Sequence, residues 1–459
     1  MLVIFVPLVL LTIQSVTDKF GGGGIASNES GCISLTERKR IQTIVEEFHA
    51  RKGQSDITAN TKYQVYPIGG LIGTDIFPNN YVDLDTTSGL RDWDCTTYTY
   101  NGHLGIDFDL RGFVEQEIGV PVFAPKDGTV VEVDDGNFDH NVYGDIQPGN
   151  HVILYHGGNQ YSLYWHFRRG TIRVQAGDQV KSGEELGQVG SSGSSTGPHL
   201  HFESWAGPGS QFAYDPHSGG CNLGSSGFVA QQPVPRQFGV RKFALSMVDF
   251  SRFPGPPYEM PNAANYVVGS GPVGFYIQAI NLPVNSNFRV RFLRPNGTVA
   301  FDSGTGTFGS NPFYRQSWWW WRYTVNLNTA GAWTAELSVN GVAQVTAPFN
   351  VGNAYPLNSN LPPYKPSVAI IPPVEAGAPL AVQVVAPDIV TDPDYDVVRY
   401  RYVWRNGRTI VRDVTHAGRL DMVPAKLPWK SQGWTVTVTP YDGMAWGQST
   451  TVVWSNEAR

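Results

Sequence analysis

The sequence predicts a mainly β protein in which a compact antiparallel β domain is followed by two β-sandwich domains, with one short helix near the N-terminus. The chain contains 51 glycines and 32 prolines among 459 residues, a content that favours short strands joined by many turns. Aromatic residues make up 12% of the chain, which excludes a disordered protein. At roughly 150 residues per domain, this length corresponds to about three folded units.

The charge balance excludes a nucleic-acid-binding function. The chain has 33 Lys and Arg residues against 39 Asp and Glu residues, so its formal net charge is -6, and only 16% of its residues are charged. A nucleic-acid binder needs a basic surface that displaces counterions from phosphates. We therefore expect no nucleic-acid partner.

Residues 2–16 form an almost unbroken apolar run. Its length fits the core of a signal peptide and is too short for a membrane span. The sequence therefore predicts that residues 1–20 are a signal peptide or an N-terminal anchor, and that the protein is secreted or held in the cell envelope, periplasmic or extracellular. No Lys or Arg precedes Lys19 and no cleavage site is evident, so removal and retention of this run both stay open.

A lead-in of residues 30–94 comes next, and it contains the predicted helix, residues 34–51. Ser34 and Glu37 form a capping box, and the apolar residues that follow recur at helical spacing. Residues 63–94 are rich in turns and aromatic side chains. We expect that stretch to pack on the following domain.

Residues 95–221 form the predicted compact β domain. Short runs of β-branched and aromatic residues alternate there with glycine turns, which indicates antiparallel strands. The predicted strands cover residues 121–124, 128–133, 151–155, 161–167 and 199–203.

Two β-sandwich domains are predicted at residues 236–352 and 366–459, after linkers rich in Gly, Ser, Pro or Asn. Alternating apolar and polar residues define their strands. The first sandwich has predicted strands at residues 275–279, 288–292, 323–327, 333–339 and 342–351, and the second at residues 368–371, 380–385, 397–404, 409–414 and 434–439. The second sandwich resembles Ig-like or PKD-like extracellular modules around Asp392 and Asp442.

Histidines cluster in three short segments of the compact β domain. His103 and Asp107 lie in the first segment, His166 lies in the second, and His199 and His201 lie in the third. Side chains of an extended strand alternate between its two faces, so His199 and His201 share a face, as His103 and Asp107 do. Gly105, between that pair, would leave room for an ion.

Two imidazoles and one carboxylate are a donor set that suits Zn²⁺, and a site with three protein ligands keeps a position open for water. Four histidines and one aspartate exceed three ligand positions, so two histidines remain to act on the substrate or the water. Strand alternation alone leaves open which two these are.

These segments, in this order, resemble the lysostaphin/LytM-type zinc metalloendopeptidases, which are peptidoglycan hydrolases with a duplicated hybrid motif fold. The resemblance covers residues 103–216 and includes glycine-rich strands outside the histidine segments. It implies His103, Asp107 and His201 as ligands of one zinc ion per chain. It also implies His166 and His199 as the paired catalytic histidines.

The resemblance implies an exported zinc metalloendopeptidase whose activated water attacks peptide bonds in peptidoglycan stem peptides or cross-bridges. Two alternatives stay open: a non-catalytic cell-envelope binding protein, and a secreted protease acting on Gly-rich proteins. No H-E-x-x-H helix motif occurs, so a glutamate general base is not supported. The C-terminal sandwiches would bind a cell-surface partner, and the oligomeric state stays open.

Two insertions relative to a minimal domain of this kind, residues 111–119 and 137–149, are expected to line the cleft and narrow the specificity. The lead-in before His103 suggests a removable inhibitory segment, which we state as a hypothesis.

Of the three cysteines, Cys95 and Cys221 bracket the compact β domain, and we expect them to pair. Closing so long a loop would restrict the unfolded chain by roughly 4 to 5 kcal/mol in the entropy model. Cys32 is then the odd thiol. The alternative is that all three cysteines are reduced and buried.

The remaining histidines receive structural interpretations. His156 lies at a hairpin and is expected to have a packing or turn role, whereas His140, His151 and His217 are expected in surface positions or loops. Glu203 shares a strand face with His201, so it either orients that ligand or makes an ordinary hydrogen bond.

Two further motifs have competing interpretations. Four consecutive tryptophans, residues 318–321, suggest either carbohydrate stacking or, as we favour, packing in a sandwich core or edge. Asp392, Asp394 and Asp396 indicate an acidic turn, with a calcium site as the minority view because the glycine and distal glutamate of an EF-hand are missing.

Overall fold

A computed structural model describes most of the chain: residues 19–25, 31–52, 62–144, 147–262, 265–353, 360–375, 377–387, 389–425 and 433–455. Almost all of the predicted signal peptide or anchor, residues 1–20, lies outside the described residues. Within the described residues, every helix is too short or too polar to cross a membrane.

The N-terminal segment contributes one strand and the predicted helix. Strand β1 is Lys19–Gly24, and helix α1 is Leu35–Lys52. The Ser34 hydroxyl accepts a hydrogen bond from the backbone N–H of Glu37 at 3.2 Å, which caps the first turn. The predicted helix is thus confirmed, and Ile41 on its inner face is buried.

The compact β domain is built on one antiparallel sheet with the strand order β2-β3-β10-β7-β6-β5-β8, to which β11 adds beside β10, and on a two-stranded pair of β4 and β9. Its elements in chain order are β2 (Phe77–Asn80), β3 (Ile106–Asp109), α2 (Phe113–Ile118), β4 (Pro121–Phe123), β5 (Gly128–Asp134), β6 (His151–Tyr155), β7 (Tyr161–Trp165), β8 (Gln179–Val180), β9 (Glu185–Gln188), β10 (His199–Trp205) and β11 (Ala213–Tyr214).

Both faces of this sheet are covered, because successive residues of β6 and β7 point to opposite sides. Leu154 and Tyr164 pack into the larger core, with side chains from β3, β4 and β10. Ile153 and Leu163 pack into a second core under α1. The helix of the lead-in therefore completes the domain on one face.

The predicted disulfide between Cys95 and Cys221 is confirmed. It closes a separation of 126 residues around the sheet. Cys32 is free and buried, as expected for the odd thiol.

The predicted mainly β fold is confirmed by two further layered units. The first pairs a four-stranded sheet, order β1-β18-β14-β12, with a six-stranded one, order β13-β20-β19-β15-β16, where β17 also pairs with β15. Its strands are β12 (Gly239–Ser246), β13 (Asn265–Val267), β14 (Val273–Leu282), β15 (Asn287–Leu293), β16 (Val299–Asp302), β17 (Gly306–Thr307), β18 (Tyr314–Tyr323), β19 (Gly331–Val339) and β20 (Val342–Gly352).

The strand predicted at residues 323–327 is wrong. The strand ends at Tyr323, which pairs with Val273, the first residue of β14, so no partner backbone continues beyond it. Val325 and Leu327 still point into the core, which explains the period-two pattern in the sequence.

The four tryptophans lie in β18, and core packing is confirmed for them. Trp319 and Trp321 belong to the sandwich core, whereas Trp320 and Trp318 pack on the opposite face with Phe250. Alternation along the strand divides the four side chains between two apolar layers.

The second layered unit pairs the sheet β21-β22-β25 with the sheet β24-β23-β26-β27. Its strands are β21 (Ser367–Ile371), β22 (Leu380–Ala386), β23 (Arg399–Asn406), β24 (Thr409–His416), β25 (Leu420–Val423), β26 (Trp434–Tyr441) and β27 (Thr450–Trp454). Asp392 accepts the backbone N–H groups of Asp394 and Asp396, at 2.7 and 3.3 Å, as an acidic turn would.

A buried carboxylate ties this unit to the compact β domain. Asp421 accepts hydrogen bonds from Trp404 Nε1 at 2.8 Å and from the Arg412 guanidinium at 2.8 to 3.1 Å. Arg412 also forms an ion pair with Glu185 of β9 at 2.8 Å. Burial disfavours the charged Asp421, but Arg412 opposes that effect and lowers the pKa of Asp421 to about 2.

We expect Asp421→Asn to destabilise the chain by roughly 3–5 kcal/mol, because it leaves the buried Arg412 charge without one of its partners. Asp413→Asn, which removes an exposed pair with Arg401, is the matched control and should cost no more than about 1 kcal/mol. Denaturant unfolding of the full chain measures both values. Equal effects for the two variants would contradict a structural role for the Asp421 network.

The Asp421 contribution also depends on pH in a defined direction. A carboxyl whose folded-state pKa is depressed stabilises the protein above its ordinary pKa of 3.8 and loses that contribution as pH falls towards about 2. The stability difference between the parent and Asp421→Asn should therefore shrink between about pH 4 and pH 2. A difference that stays constant over this range would contradict the assignment.

Candidate metal centre

The antiparallel pairing of β3 with β10 brings two of the predicted residues side by side. Asp107 of β3 is the register partner of His201 of β10. His103 lies in the turn before β3, and its backbone N–H donates to the carbonyl of Tyr100 at 3.0 Å. The segment that holds His103 and Asp107 thus meets His201, which lies 94 residues beyond Asp107, on one face of the sheet.

His103, Asp107 and His201 form the first cluster. The distance from His103 Nε2 to His201 Nδ1 is 3.2 Å, and Asp107 Oδ1 lies 3.2 Å from His103 Nε2 and 2.8 Å from His201 Nδ1. All three side chains are buried. Their three ligand-type atoms therefore converge on one point.

Each residue of this cluster is oriented by a second hydrogen bond. His103 Nδ1 donates to the carbonyl of Tyr81 at 2.8 Å, and His201 Nε2 donates to Glu203 Oε1 at 2.8 Å. Asn80 Nδ2 donates to Asp107 Oδ2 at 2.9 Å. Since these bonds use the outer atoms, the lone pairs of the inner atoms face one another.

Glu203 is held by more than His201. Arg38 of α1 donates to both of its oxygens, at 2.8 and 3.2 Å, and Trp205 Nε1 donates at 2.8 Å. Burial would raise the pKa of Glu203, but the Arg38 charge and the His201 hydrogen bond outweigh it and hold that pKa below its usual range. Glu203 is therefore an ionised carboxylate that orients His201.

His166 and His199 form a second pair beside the first cluster. Their ring centroids are 4.3 Å apart, and those of His166 and His201 are 6.2 Å apart. His166 Nδ1 donates to the carbonyl of Ser192, and His199 Nδ1 donates to the carbonyl of Gly197 at 2.8 Å. Because carbonyls only accept, both rings carry a proton on Nδ1 and direct Nε2 inward.

Two features mark His166 as a specialised residue. Its backbone φ is 71°, in the left-handed region that a non-glycine residue adopts at a cost of about 1–3 kcal/mol and that is enriched at functional sites. Its buried Nε2 has no hydrogen-bond partner among the described residues. Burial, with a smaller effect of the His199 charge, lowers the pKa of His166, which favours the neutral ring.

Gly105 is required by the packing around His201. A Cβ atom at Gly105 would lie 2.7 Å from His201 Cε1 and 2.8 Å from the carbonyl oxygen of Phe202. The sequence suggested that Gly105 leaves room for an ion. The structure shows that it leaves room for the ring of His201.

The first cluster fits a zinc-type cation. Three ligand atoms around a tetrahedral zinc ion at roughly 2.0–2.1 Å lie about 3.3 Å apart, close to the 2.8 to 3.2 Å found between His103, Asp107 and His201. Three lone-pair atoms that meet in a buried site repel one another unless a cation lies between them. The donor set of two imidazoles and one carboxylate is also that of catalytic zinc sites.

Three contributors to the site were missed by the sequence reasoning. Asn80 and the carbonyl of Tyr81 come from the predicted lead-in, and Arg38 comes from the helix. None of them belongs to a motif, and each reaches the site only through long-range pairing, as Asn80 does in β2 beside β3. Cys32 was expected only to be an odd thiol, yet it lies against both clusters.

The other histidines divide into correct and wrong predictions. His156 has its packing role, since its ring bonds to the Asp127 carbonyl and the Ser162 hydroxyl at 2.7 Å each. His151 is buried in β6, not at the surface or in a loop as predicted, whereas His217 lies in a loop, as predicted, and is buried there. Their rings stack on tryptophan rings at centroid distances of 4.1 and 5.0 Å. Such stacking has no local sequence signal.

The two insertions flank the site in different ways. Residues 111–119 contain the short helix α2, which the sequence did not predict; Phe113 of this helix donates its N–H to the Pro257 carbonyl at 3.2 Å. Residues 137–149 hold the loop beside His199, through a backbone hydrogen bond from Asn141 to Ser191 at 3.1 Å.

Comparisons with known proteins converge on the same segment. The family model described as Peptidase family M23 matches residues 101–213. An uncharacterized metalloprotease of Haemophilus influenzae is 40% identical over 101 residues, 22% of this chain and 18% of that protein. Peptidoglycan DD-endopeptidase ShyA of Vibrio cholerae is 34% identical over 101 residues, 22% of this chain and 20% of that protein.

Lysostaphin of Staphylococcus simulans is 34% identical over 109 residues, 22% of this chain and 17% of that protein. The chain thus spans about a fifth of the length of the curated relatives it matches. The matched segment contains all five predicted site residues and every strand that positions them except β2. Residues 101–213 are therefore a domain of peptidase family M23, the lysostaphin-type metallopeptidase family that the histidine segments predicted.

Proposed function

We propose that the protein is an exported zinc metalloendopeptidase that hydrolyses peptide bonds of bacterial peptidoglycan, in stem peptides or cross-bridges. One observation carries this proposal: a cluster of three converging metal-ligand atoms lies directly beside two histidines that both direct Nε2 inward. A peptide hydrolase of this type needs a site for the metal and a base within reach of the attacking water.

His103, Asp107 and His201 would hold one zinc ion per chain. When bound, zinc supplies Lewis-acid polarisation of the scissile carbonyl and lowers the pKa of a bound water towards about 7. Tyr81, Asn80 and Glu203 keep the three ligands in their orientation and fix the tautomers of the two imidazoles.

His166 and His199 perform the proton transfers. His166 is neutral, buried and unpartnered at Nε2, so it can accept a proton from the attacking water at that atom. The Nε2 of His199 lies on the same side of the first cluster, 3.8 Å from Asp107 Oδ1, and can hydrogen-bond the oxygen on which negative charge develops. The Ser192 and Gly197 carbonyls hold the two rings in position.

The substrate proposal is supported by the names of relatives. ShyA is named a peptidoglycan DD-endopeptidase, and a further relative, ALE-1 of Staphylococcus capitis, is named a glycyl-glycine endopeptidase. Peptidoglycan would place the protein in the envelope or outside the cell, in accord with the apolar N-terminal run. The C-terminal sandwiches would then hold the peptidase domain near a cell-surface partner.

We expect His166→Ala to lower the rate of peptidoglycan hydrolysis by about 10²- to 10⁴-fold while zinc content stays unchanged, because this histidine transfers protons and does not ligate the metal. His140→Asn is the matched control, since His140 is a half-exposed loop residue. Release of new amino termini from purified peptidoglycan is measured for zinc-loaded chains. The Cys32→Ala background is assayed beside the parent, because Cys32 contacts His199.

If His166→Ala retains full activity, the assigned base is wrong. If the control behaves normally but only a Gly-rich protein is cleaved, the substrate class is wrong and the enzymatic proposal stands. If zinc binds and neither substrate is cleaved in either background, even after the lead-in is removed, the chain is a binding protein.

We expect Gly105→Ala to weaken zinc binding by about 10- to 100-fold, the cost of disturbing the support of a ligand, because the added methyl group displaces His201. Gly239→Ala is the matched control, since the nearest described neighbour of its Cβ would be the side chain of Ile280 at 3.6 Å. Competition with a chromophoric chelator measures both affinities. Unchanged affinity in Gly105→Ala would mean that His201 is not a ligand.

A further inference from the structure

Cys32 lies inside the candidate metal centre, although it belongs to the N-terminal segment. Its Sγ is 3.8 Å from Asp107 Oδ1, 3.8 Å from His199 Nε2 and 3.4 Å from the Tyr100 hydroxyl. The residue is 2% exposed. Its sulfur therefore belongs to the site as much as the motif residues do.

We propose that Cys32 is a fourth protein ligand of the metal and that the described parts of the N-terminal segment, residues 19–25 and 31–52, hold the peptidase in a latent state. This inference rests on the proposed function, because that function identifies the site as a zinc centre. The metal–sulfur bond of Cys32 is not indicated by any sequence motif.

The distances around the sulfur support ligation. A thiolate at about 2.3 Å and a nitrogen or oxygen at about 2.0–2.1 Å from a tetrahedral zinc ion lie about 3.6 Å apart, against 3.8 Å between Cys32 Sγ and Asp107 Oδ1. The ligand atoms of Cys32, His103, Asp107 and His201 all lie within 4.8 Å of one another. Four protein ligands are typical of a closed zinc site, which has no position for water.

A second observation shows what the sulfur excludes. Cys32, His166 and His199 also have their ligand-type atoms within 4.8 Å of one another, so Sγ lies against both the metal cluster and the proton-transferring pair. The buried and unpartnered Nε2 of His166 faces this space. An attacking water and a scissile carbonyl must occupy the same space, since both have to reach the metal and the base.

Helix α1 anchors Cys32 on one side. Arg38 lies in the first turn of α1, shortly after Cys32 in the chain. It makes a bidentate ion pair with Glu203, the carboxylate that orients His201. Ile41 and Val45 bury their side chains against the sheet. The segment is thus bound by apolar packing and by a buried ion pair, and one carboxylate serves both the metal ligand and the inhibitory helix.

Strand β1 anchors the segment on the other side. All six of its residues pair with β18 of the first sandwich, from Lys19 opposite Arg322 to Gly24 opposite Ser317, and Ile25 N–H donates to the Gln316 carbonyl at 3.0 Å. The cavity that remains next to His199 has a volume of about 80 Å³ and is lined in part by Ile25 and Pro257.

Sites that enclose a small molecule usually measure roughly 300–1,000 Å³, so this cavity is too small to enclose a ligand of that size. In the latent state the thiol completes the coordination sphere, and β1 and α1 hold it there. Displacement of the N-terminal segment removes the thiol and both anchors together.

Cobalt substitution tests the ligand directly and does not depend on activity. Thiolate ligation of Co²⁺ produces a charge-transfer band in the near ultraviolet, and Cys32 is the only cysteine of the three outside the disulfide. We expect the Co²⁺-loaded parent chain to show this band and Cys32→Ala and Cys32→Ser to lose it. Ser34→Ala, which removes the helix cap two residues away, is the matched control and should keep it.

An equilibrium measurement accompanies the spectrum. Removal of a ligand should weaken Zn²⁺ binding at least tenfold in both Cys32 variants. Circular dichroism confirms that the variants fold. A parent chain that binds Co²⁺ without the band overturns the proposal.

Hydrolysis separates this inference from the proposed function. With a site-specific protease sequence placed within residues 53–61, cutting should raise peptidoglycan hydrolysis at least tenfold in the Cys32→Ala chain and less in the parent, where the metal–sulfur bond still holds the segment. A band that depends on Cys32 without hydrolysis in any cut chain would support the ligand and refute the peptidase. A chain that binds neither Co²⁺ nor Zn²⁺ refutes both.

Discussion

The pairing of β3 with β10 is the constraint on which the site depends. Asp107 lies opposite His201 in this antiparallel ladder, and β7 on the other side of β10 ends one residue before His166. A shift of one residue would turn His201 away from the face on which α1 packs and into the larger apolar core, where Leu200 and Phe202 lie. The covered faces of the sheet prevent that shift, because each face has its own apolar set of side chains.

Burial of charged groups in the site has a desolvation cost, so each charge must be held by hydrogen-bonding partners in a fixed geometry. Asp107 and Glu203 are buried, and each carboxylate is stable only because donors surround it. Glu203 is the central link, since it joins His201 of the metal cluster, Trp205 of the sheet and Arg38 of the N-terminal helix. The orientation of a ligand and the docking of the lead-in thus share one anionic group.

The units of the chain are joined by specific contacts. Strand β1 completes a sheet of the first sandwich, and Gly21 of this strand is explained by the ring that covers it, because a Cβ there would lie 2.7 Å from Trp320. Arg412 of the second sandwich pairs with Glu185 of the peptidase domain. The N-terminal segment is thus bound to the first sandwich through β1 and to the compact β domain through Arg38.

The residues whose signals are local could be predicted from the chain alone. Strand alternation grouped His199 with His201, the capping residues located α1, and the resemblance of the histidine segments led to the M23 domain. Asn80, Arg38 and Cys32 could not be found in this way, because each reaches the site through pairing or packing between residues distant in sequence. The same holds for the buried stacking of His151 on Trp165. The alternation of residues along a strand determines which of its faces is apolar and therefore buried. Which other segment packs on that face is determined only by the tertiary structure, because it depends on contacts between residues distant in sequence.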